Sequence, residues 1–414
     1  MHRLSVWLIL CAAALPAAGA DEPPRSWIDA DTGHRVVRLT NEPGSASLYF
    51  NQNGYTADGK KMIYTTPEGI SVLDLQTYAT KPVVKGAVRV IVAGPKTQNV
   101  YYISGGAVSS ADVDTGATRE IAKLPSRGTV STVNADETLL GGTYIEGDGQ
   151  DYNANRSPGP QVQQLDQPVN KGQMMEERLA AHLPMGLFTI NVKTGEVKTI
   201  LKSTDWLNHL EFSPTDPALL MFCHEGPWHK VERLWTIRTD GSHITKVHTR
   251  TMAMEIFGHE FWSADGKTIW YDLQTPRGEV FWLAGHNVET GQRTWYHLQR
   301  NEWSIHFNVS RDGELFCGDG GNPGQVARAP DGAWIYLFRP ELFRNQGIDD
   351  KSLINAGVLH AEKLVDMSKH QYRLEPNVSF TPDRKWVVFR SNMFGPTYVF
   401  AAEVAKAGAA ASGP

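Results

Sequence analysis

The sequence predicts an all-β protein, a seven-bladed β-propeller whose last blade is closed by the N-terminal strand. Three observations support this prediction: a recurring turn-and-strand unit, a second strand that follows each unit, and a lone strand near the N-terminus. The chain has 414 residues, which suits two or three domains or one large repeat architecture. Its 38 glycines and 23 prolines fit a chain with many turns.

The repeated unit is a polar turn followed by a short apolar strand, and it occurs seven times. The turns begin at Thr56, Gly94, Asn134, Ser213, Ser263, Ser310 and Thr381. A second strand usually follows and ends in a T-G or D-G turn, as in LFTINVKTGEVKTI at residues 187–200. This pattern is typical of antiparallel hairpins, and repeats of about four strands are typical of propeller blades.

The two ends of the chain complement each other. Residues 31–40 (DTGHRVVRLT) resemble the outermost strand of the other blades but have no strand of their own before them. The final blade ends near residue 404 without such a strand. We therefore expect residues 31–40 to complete the last blade and close the ring, which leaves no open sheet edge. Residues 21–404 form one domain in this prediction.

Two long intervals interrupt the repeat. The first, at residues 146–182, begins as a loop rich in Gly, Asn, Pro and Gln, and its end (QMMEERLAAHLP) predicts a short helix stopped by Pro184. The second, at residues 339–369, is polar. Long loops on a propeller can form the walls of a binding site. Residues 405–414 are expected to be a disordered tail.

Residues 1–20 have a short basic start, an apolar run and small residues at Ala18 and Ala20. This pattern predicts a signal peptide cleaved after Ala20, and the apolar run is too short to span a membrane. We therefore expect a periplasmic or secreted protein without a membrane span. Cys223 and Cys317 are predicted to be two buried thiols, not a disulfide or a metal pair.

The composition and motifs exclude several functions. The net charge of −5 with mixed signs gives no basic surface for nucleic acid. There is no G-x-S-x-G, phosphate loop, H-E-x-x-H or cysteine zinc pattern. The segment GDGGNPG at residues 318–324 follows a predicted propeller strand and is interpreted as a turn.

Polar residues occupy one register of successive repeats. This register is the position four residues before the Ser or Thr that opens a turn. It is occupied by Gln52, His209, His259, His306 and Asn377. The first strand of each blade lines the central channel of a propeller, so these side chains are expected to face one mouth. One such histidine alone would be interpreted as structural. Three in register, with Asn and Gln beside them, predict a shared site.

A dense polar patch lies at residues 222–235 (FCHEGPWHKVERLW). It contains His224, Glu225, His229 and Arg233. Arg233 stands beside an apolar strand, where a planar and permanently charged donor suits a carboxylate. The other charges of the patch are as well explained by a solvated hairpin loop.

Taken together, FCHEGP, GHEFW, the His306 strand with its D-G turn, and SFTPD resemble the oligogalacturonate lyase family. The resemblance covers about residues 29–404 and is strongest from residue 187 onward. It implies a seven-bladed propeller that cleaves short pectin fragments by β-elimination. It also implies that His259 and Arg233 form the catalytic centre and that His306 helps hold a divalent metal, typically manganese.

The chain departs from the family pattern at the remaining metal ligands. The family carries H-P-H-P before SFTPD with a glutamine upstream, whereas this chain reads HQYRLEPNVSFTPD. Glu375 and Asn377 stand where the two histidines would be, and Gln371 lies one residue out of register with the glutamine. The predicted ligands are thus His306, Glu375, Asn377 and Gln371. Oxygen ligands suit Mn²⁺, Mg²⁺ or Ca²⁺, with Mn²⁺ favoured by the resemblance.

The implied chemistry removes the C5 proton of a uronate, α to its carboxylate, and expels the sugar at C4. Either neutral His259 or Arg233 takes the proton, and His259 is favoured because deprotonating a guanidinium is costly. His209, His224 and Gln52 are predicted to bind or orient the acidic oligosaccharide. Two alternatives stay open: a non-catalytic periplasmic propeller that binds a protein or glycan, and a lyase acting on a different uronate-containing oligosaccharide.

Overall fold

The computed structural model describes residues 22–147 and 171–408. The predicted signal peptide, the first part of the insertion at residues 146–182 and most of the predicted tail lie outside these ranges. The described residues are mainly strands, and the predicted all-β propeller class is confirmed. No helix in this part of the chain is long and apolar enough to cross a membrane.

The strands of the described ranges form six hydrogen-bonded sheets, and the largest consists of two consecutive runs of four strands. We number the four-stranded runs as units 1 to 7 in chain order. Two strands precede unit 1: β1 (Ser26–Ile28) and β2 (His34–Arg38). Unit 1 contains β3 (Ala46–Ser47), β4 (Lys61–Thr66), β5 (Gly69–Asp74) and β6 (Thr80–Lys85). Unit 2 contains β7 (Arg89–Ala93), β8 (Asn99–Ser104), β9 (Ala107–Asp112) and β10 (Thr118–Lys123). Unit 3 contains β11 (Gly128–Val133), β12 (Leu139–Ile145), β13 (Met185–Asn191) and β14 (Val197–Ser203).

The remaining units carry most of the predicted site. Unit 4 contains β15 (Trp206–Phe212), β16 (Leu219–Glu225), β17 (Leu234–Arg238) and β18 (Thr245–Lys246). Unit 5 contains β19 (Ile256–Trp262), β20 (Thr268–Gln274), β21 (Phe281–Asn287) and β22 (Arg293–His297), and a 3-10 turn follows at Arg300–Glu302. Unit 6 contains β23 (Phe307–Val309), β24 (Phe316–Gly318), β25 (Trp334–Leu342) and β26 (Asn355–Asp366). Unit 7 contains β27 (Ser379–Phe380), β28 (Trp386–Ser391) and β29 (Tyr398–Lys406), together with β2.

The N-terminal strand completes the last unit, as predicted. Strand β2 pairs antiparallel with β29, so that Val36 faces Ala402 and Arg38 faces Phe400. The expectation that no strand precedes residues 31–40 is wrong, because β1 pairs with β2 as a fifth strand. Three residues, SWI, are too few to show an alternating pattern in the sequence. Strand β29 also runs to Lys406, two residues into the predicted tail.

The apolar core lies between neighbouring units. One cluster joins unit 1 to unit 2 through Ile63 and Val100, and the following clusters join successive units in the same way. The cluster that contains Met62 and Val388 packs unit 7 against unit 1. Since each sheet buries both faces against its neighbours, the inner strands are held around one axis, where the polar side chains converge.

In four of the repeat turns, the hydroxyl of the opening Ser or Thr fixes the start of the next strand. Ser263 donates to Asp265 at 2.6 Å and accepts from the Thr268 amide at 2.9 Å. The same pair of bonds occurs at Thr56, Ser310 and Thr381. Because these four turns share one geometry, the count of four residues back from the hydroxyl reaches an equivalent place in units 1, 5, 6 and 7.

The two long intervals contain regular structure. The predicted helix is present as α1 (Lys171–Ala180). The second interval, interpreted as a polar insertion, is largely an extended hairpin of β25 and β26. The outer part of β26 also pairs in parallel with β22, with Thr294 opposite Asn355 and His297 opposite Val358. This pairing joins units 5 and 6 into the eight-stranded sheet.

Candidate active site

Two of the predicted histidines sit in β-bulges of inner strands. In β15 the pairing with β16 shifts between Asn208 and Glu211, and in β19 the pairing with β20 shifts between Gly258 and Phe261. His209 (φ 47°) and His259 (φ 48°) occupy the left-handed region at these bulges. Such a conformation is uncommon outside glycine and costs about 1–3 kcal/mol, and bulges frequently re-aim side chains beside active sites.

His259 is backed by a carboxylate and an aromatic ring. Its Nδ1 lies 3.5 Å from Asp272 Oδ1, and both side chains are buried. The Trp228 ring stands edge-on to the imidazole, with centroids 5.0 Å apart. A Cβ at Gly258 would lie 2.8 Å from the Trp228 ring, so only glycine lets the indole approach so closely. Asp272 therefore faces Nδ1, which leaves Nε2 as the nitrogen available to a ligand.

His306 repeats this arrangement in the next unit. Its Nδ1 lies 2.8 Å from Asp319 Oδ2, and its backbone amide donates to the other oxygen of that carboxylate at 2.8 Å. Burial opposes protonation of the imidazole, but the Asp319 carboxylate raises the pKa of His306 above its usual value. Nε2 faces the Tyr49 hydroxyl at 3.1 Å and Glu375 Oε2 at 3.8 Å.

The segment before β27 brings the other predicted metal ligands to different places. Glu375 is half-buried beside His306. Asn377 is fully buried, and both ends of its amide are engaged, since Oδ1 accepts from the Phe50 amide at 3.3 Å and Nδ2 donates to the Glu375 carbonyl at 3.0 Å. Gln371 is exposed, and its backbone bonds to the Asn392 side chain.

Arg233 is completely buried in a cluster of acidic side chains. Its Nη1 donates to Glu225 Oε1 at 2.5 Å, and its Nη2 lies 3.7 Å from Glu260 Oε2. The Trp228 ring covers the guanidinium, whose Cζ is 4.5 Å from the ring centroid. Burial opposes the charge, but Glu225 raises the pKa of Arg233 above its usual value. Arg233 is therefore a fixed cation beneath Trp228.

His209 connects the same carboxylates from the other side. Its Nε2 lies 3.1 Å from Glu225 Oε2, and its Nδ1 lies 3.9 Å from Glu260 Oε1. The donor atoms of His209, Cys223 and Glu225 lie within 4.8 Å of one another, close enough to hold a metal. However, the Arg233 guanidinium already contacts Glu225 and lies 3.8 Å from the Cys223 sulfur. The charge of this buried guanidinium therefore disfavours a metal ion at these three donors.

Two cavities are lined by the polar side chains described above. The larger, of about 890 Å³, is lined by His259, Trp228 and Glu375 together with residues of α1 and of the loops of units 5 and 6. The other, of about 640 Å³, contains His209, Gln52 and Glu211 and runs along the inner strands to the repeat turns. Since His259 and Glu375 both line the larger cavity, that cavity is the candidate active site.

Comparison with known proteins agrees with this geometry. The sequence pattern of the oligogalacturonate lyase family matches residues 24–407 of the chain. The chain belongs to the oligogalacturonate lyase family. It is 26% identical over 394 residues to the oligogalacturonate lyase of Dickeya dadantii (strain 3937), covering 91% of this chain and 95% of the relative. It is 25% identical over 394 residues to the oligogalacturonide lyase of Pectobacterium atrosepticum, with the same coverage.

Solved structures show the same fold. A structure described as an oligogalacturonate lyase in complex with manganese superposes with a TM-score of 0.73 at 24% identity, covering 92% of this chain and 96% of that one. The oligogalacturonate lyase of Vibrio parahaemolyticus gives a TM-score of 0.71 at 23% identity, with the same coverage. The predicted family and the predicted lyase class are confirmed by these relatives.

Within this family member, the structure gathers most of the predicted site residues but not all. His259, His306, Glu375 and Asn377 belong to one connected group, and His209 and Arg233 share the carboxylate cluster beneath Trp228. His224 points elsewhere, because it alternates with Glu225 along β16. It lies 3.6 Å from Asp205 and against the Trp235 ring, where burial lowers its pKa below the usual value.

Gln52 and Arg233 differ in detail from their predicted roles. The Gln52 side chain accepts from the Tyr49 amide at 3.2 Å, so it stabilises the turn that carries Tyr49 while lining the smaller cavity. The guanidinium of Arg233 was expected to bind the reacting carboxylate. In this structure Glu225 and Trp228 surround it, and its side chain has no exposed surface.

Several partners in the site were not identified from the sequence. Asp319 lies in the segment interpreted only as a turn, yet it is fully buried and holds His306. Glu260 directly follows His259, and an unbroken strand would have pointed it to the opposite face. The bulge at His259 removes that alternation. For Asp319, the available signal was an acidic residue that ends a buried strand beside a candidate histidine.

Proposed function

We propose that this protein cleaves short oligogalacturonides by β-elimination, with His259 as the proton-transfer residue. The observation that carries the proposal is His259 at the wall of the 890 Å³ cavity with Asp272 behind its Nδ1. The two groups are not hydrogen-bonded at this 3.5 Å separation, but the charge of a buried carboxylate favours a proton on the nearer nitrogen, so that the other nitrogen can accept one. The curated relatives named as oligogalacturonate and oligogalacturonide lyases support this substrate class.

The proposed reaction has two proton movements. Nε2 of His259 takes the C5 proton, the C4–C5 double bond forms, and the C4–O bond breaks, leaving its electron pair on the departing sugar oxygen. That oxygen takes a proton from water or from the protonated His259. Arg233 does not take a proton in this mechanism, because Glu225 keeps it charged. Its proposed role is to fix Trp228, which packs against His259.

We propose His306 and Glu375 as the ligands of a divalent metal, with Asn377 fixing the backbone of Glu375 and Gln371 a further candidate. The donor set fits a metal, because a histidine held by a buried carboxylate and faced by a second carboxylate is a common ligand arrangement. A bound divalent ion would stabilise the negative charge that develops on the reacting carboxylate. Manganese is the proposed ion, since the similar solved structure is described as a manganese complex.

We also propose export to the periplasm or medium, on the basis of residues 1–20. These residues lie outside the described ranges, so the proposal rests on the sequence pattern alone. N-terminal sequencing of the mature protein should find Asp21 as the first residue. An intact Met1 in protein recovered from the cytoplasm would contradict it.

The experiment that tests the function is direct. Purified protein is incubated with digalacturonate or trigalacturonate and Mn²⁺, and the absorbance of the C4–C5 unsaturated uronate is recorded. We expect an increase that chelator suppresses and added Mn²⁺ restores. No absorbance change with these substrates, but a change with another uronate disaccharide, would assign the enzyme to a different uronate. No change with any uronate would contradict lyase activity.

A further inference from the structure

Three exposed arginines line the same cavity as His259. Arg277 lies in the β20–β21 loop, Arg300 in the 3-10 turn after β22, and Arg328 in the β24–β25 loop. Some other surface arginines are paired with acids, such as Arg238 with Asp216 and Arg384 with Glu314, whereas these three share one cavity. In residues 22–147 and 171–408, no ion pair involves any of these three guanidinium groups. In a chain with a net charge of −5, such a concentration of unpaired cations requires an explanation.

The three loops that carry these arginines meet at Gly278. The Gly278 amide donates to Gln274 Oε1 at 2.7 Å, and its carbonyl accepts from Arg300 Nη1. A Cβ at Gly278 would lie 2.7 Å from Arg328 Nη1, so the absence of a side chain lets that guanidinium lie against the loop. The arginines are therefore brought together by contacts between loops and are not scattered surface charges.

Polar side chains hold these loops in place. Gln274 is fully buried, and its Nε2 donates to the Val326 carbonyl at 2.9 Å, which ties the loop of Arg328 to the loop of Arg277. The Gln325 side chain donates to the Tyr372 carbonyl at 2.7 Å, which ties the same loop to the segment that carries Glu375. The guanidinium of Arg300 also rests 4.2 Å from the Trp303 ring centroid. The loops that carry the arginines are thus tied to one another and to the segment that carries Glu375.

We propose that Arg277, Arg300 and Arg328 form a subsite for the carboxylate of the uronate next to the reacting one. This proposal rests on the proposed function. Every sugar of an oligogalacturonide carries one carboxylate, and a guanidinium is the side chain best suited to bind it through paired hydrogen bonds. Arg233 cannot serve the neighbouring sugar, because it is buried and bound to Glu225. A cavity of about 890 Å³ has room for more than one sugar ring.

The subsite would make the enzyme prefer substrates in which the sugar next to the reacting one carries a free carboxylate. A methyl ester on the neighbouring sugar removes the charge and leaves the arginines without an anion. The subsite acts mainly on binding, since the neighbouring carboxylate does not change during the elimination. Wild-type enzyme should therefore have a higher KM for the ester and a similar kcat.

The test combines a change in the protein with a change in the substrate. The variants are Arg277→Gln, Arg328→Gln and the double variant, with Arg344→Gln as the matched control, since Arg344 is exposed but lies on the β25–β26 hairpin away from the cavity residues. The substrates are digalacturonate and the form methyl-esterified only on the non-reacting sugar. Each cavity variant should raise KM for digalacturonate about tenfold, the loss of one charged hydrogen bond.

The ratio of kcat/KM for digalacturonate to kcat/KM for its ester tests the proposed subsite. In the double variant the preference for digalacturonate over its ester should fall toward one, while Arg344→Gln keeps the wild-type ratio. A double variant that keeps the wild-type ratio would overturn the subsite. Calorimetric binding of digalacturonate separates the two proposals: arginine-dependent binding by a wild-type protein that never cleaves would contradict the proposed function and leave the subsite standing.

Discussion

The imidazole rings of His259 and His306 lie edge to face, with their centroids 4.7 Å apart. Each ring has a buried carboxylate at its Nδ1, Asp272 in unit 5 and Asp319 in unit 6. The two rings differ in their other neighbours, since Nε2 of His306 faces Tyr49 and Glu375 whereas His259 lies against Trp228 and the larger cavity. The geometry thus suits a division of work, with proton transfer at His259 and charge stabilisation at His306.

Replacement of His259 by alanine should remove nearly all turnover. A general base commonly contributes about 10²–10⁴ in rate, so kcat on digalacturonate should fall by about that factor. The matched control is His243→Ala, because His243 is exposed and also has a left-handed backbone (φ 52°) but lies at the β17–β18 turn. Both variants should keep the wild-type melting profile within a small shift. Full activity of His259→Ala would exclude it as the proton-transfer residue.

Metal content should depend on His306 and Glu375. We expect the His306→Ala, Glu375→Ala double variant to retain far less metal than wild type by elemental analysis after identical loading with Mn²⁺. Gln371→Ala should lose less, because Gln371 is exposed whereas His306 is fully buried. Equal metal content in wild type and the double variant would show that these residues are not the ligands.

Lysine should not replace Arg233. The guanidinium contacts Glu225, approaches Glu260 and stacks on Trp228, and an ammonium group cannot make these contacts together. Arg233→Lys should therefore lower both the melting temperature and kcat. The control is Arg238→Lys, since Arg238 pairs with Asp216 at the surface, where the guanidinium is more than a third exposed. Surface ion pairs contribute only about 0–1 kcal/mol, so this control should behave as wild type.

Glu225 and Glu211 should influence stability with opposite signs as the pH changes. Burial opposes ionisation of Glu225, but Arg233 and His209 hold its pKa well below the usual value. The ionised Glu225 side chain therefore adds to the free energy of unfolding at pH values above the ordinary carboxyl pKa. This stabilisation is lost as the pH falls toward the lowered pKa. At neutral pH, Glu225→Gln should cost about 3–5 kcal/mol, because it leaves Arg233 without its closest partner.

The effect of Glu211 on stability has the reverse dependence on pH. Burial and the nearby Glu260 raise the pKa of Glu211 well above its usual value. Folding then favours its protonated form, so stability is lost as the pH rises from the ordinary pKa through the raised one. Glu211→Gln should stabilise the protein near neutral pH and have little effect at acidic pH. Thermal unfolding across this pH range measures both variants, and parallel curves for wild type and either variant would contradict the assignment.

The repeat made much of the fold readable from the sequence. The hydroxyls of Ser263, Ser310 and Thr381 make the same contacts, so a simple count located His259, His306 and Asn377 at equivalent places. The same count located His209, although Ser213 accepts from the Thr215 and Asp216 amides instead. The pairing of β2 with β29 followed from two incomplete ends. The hairpin of β25 and β26 was not recognised, because its solvent-exposed outer part has a polar composition that resembles a loop.

The contacts inside the site were less predictable. The bulge at His259 depends on a mismatch between paired strands, and a single strand carries little sign of it. Asp272 lies in the second strand of unit 5, and Asp319 directly follows the second strand of unit 6. Their approach to the histidines depends on how inner and second strands align. The engaged amide of Asn377 depends on Phe50, which is distant in sequence. These contacts are set by tertiary packing and not by local sequence pattern.

The parallel pairing of β22 with β26 joins the outer edges of the two units whose inner strands carry His259 and His306. Within the described residues, units 5 and 6 are the only neighbouring units joined into one sheet, through backbone hydrogen bonds between their outer strands. Thermal breathing that separates blades should therefore be smallest at this junction and larger elsewhere around the ring. His259 and His306 stand on the two sides of this junction, so we expect their mutual distance to change little when a ligand enters or leaves.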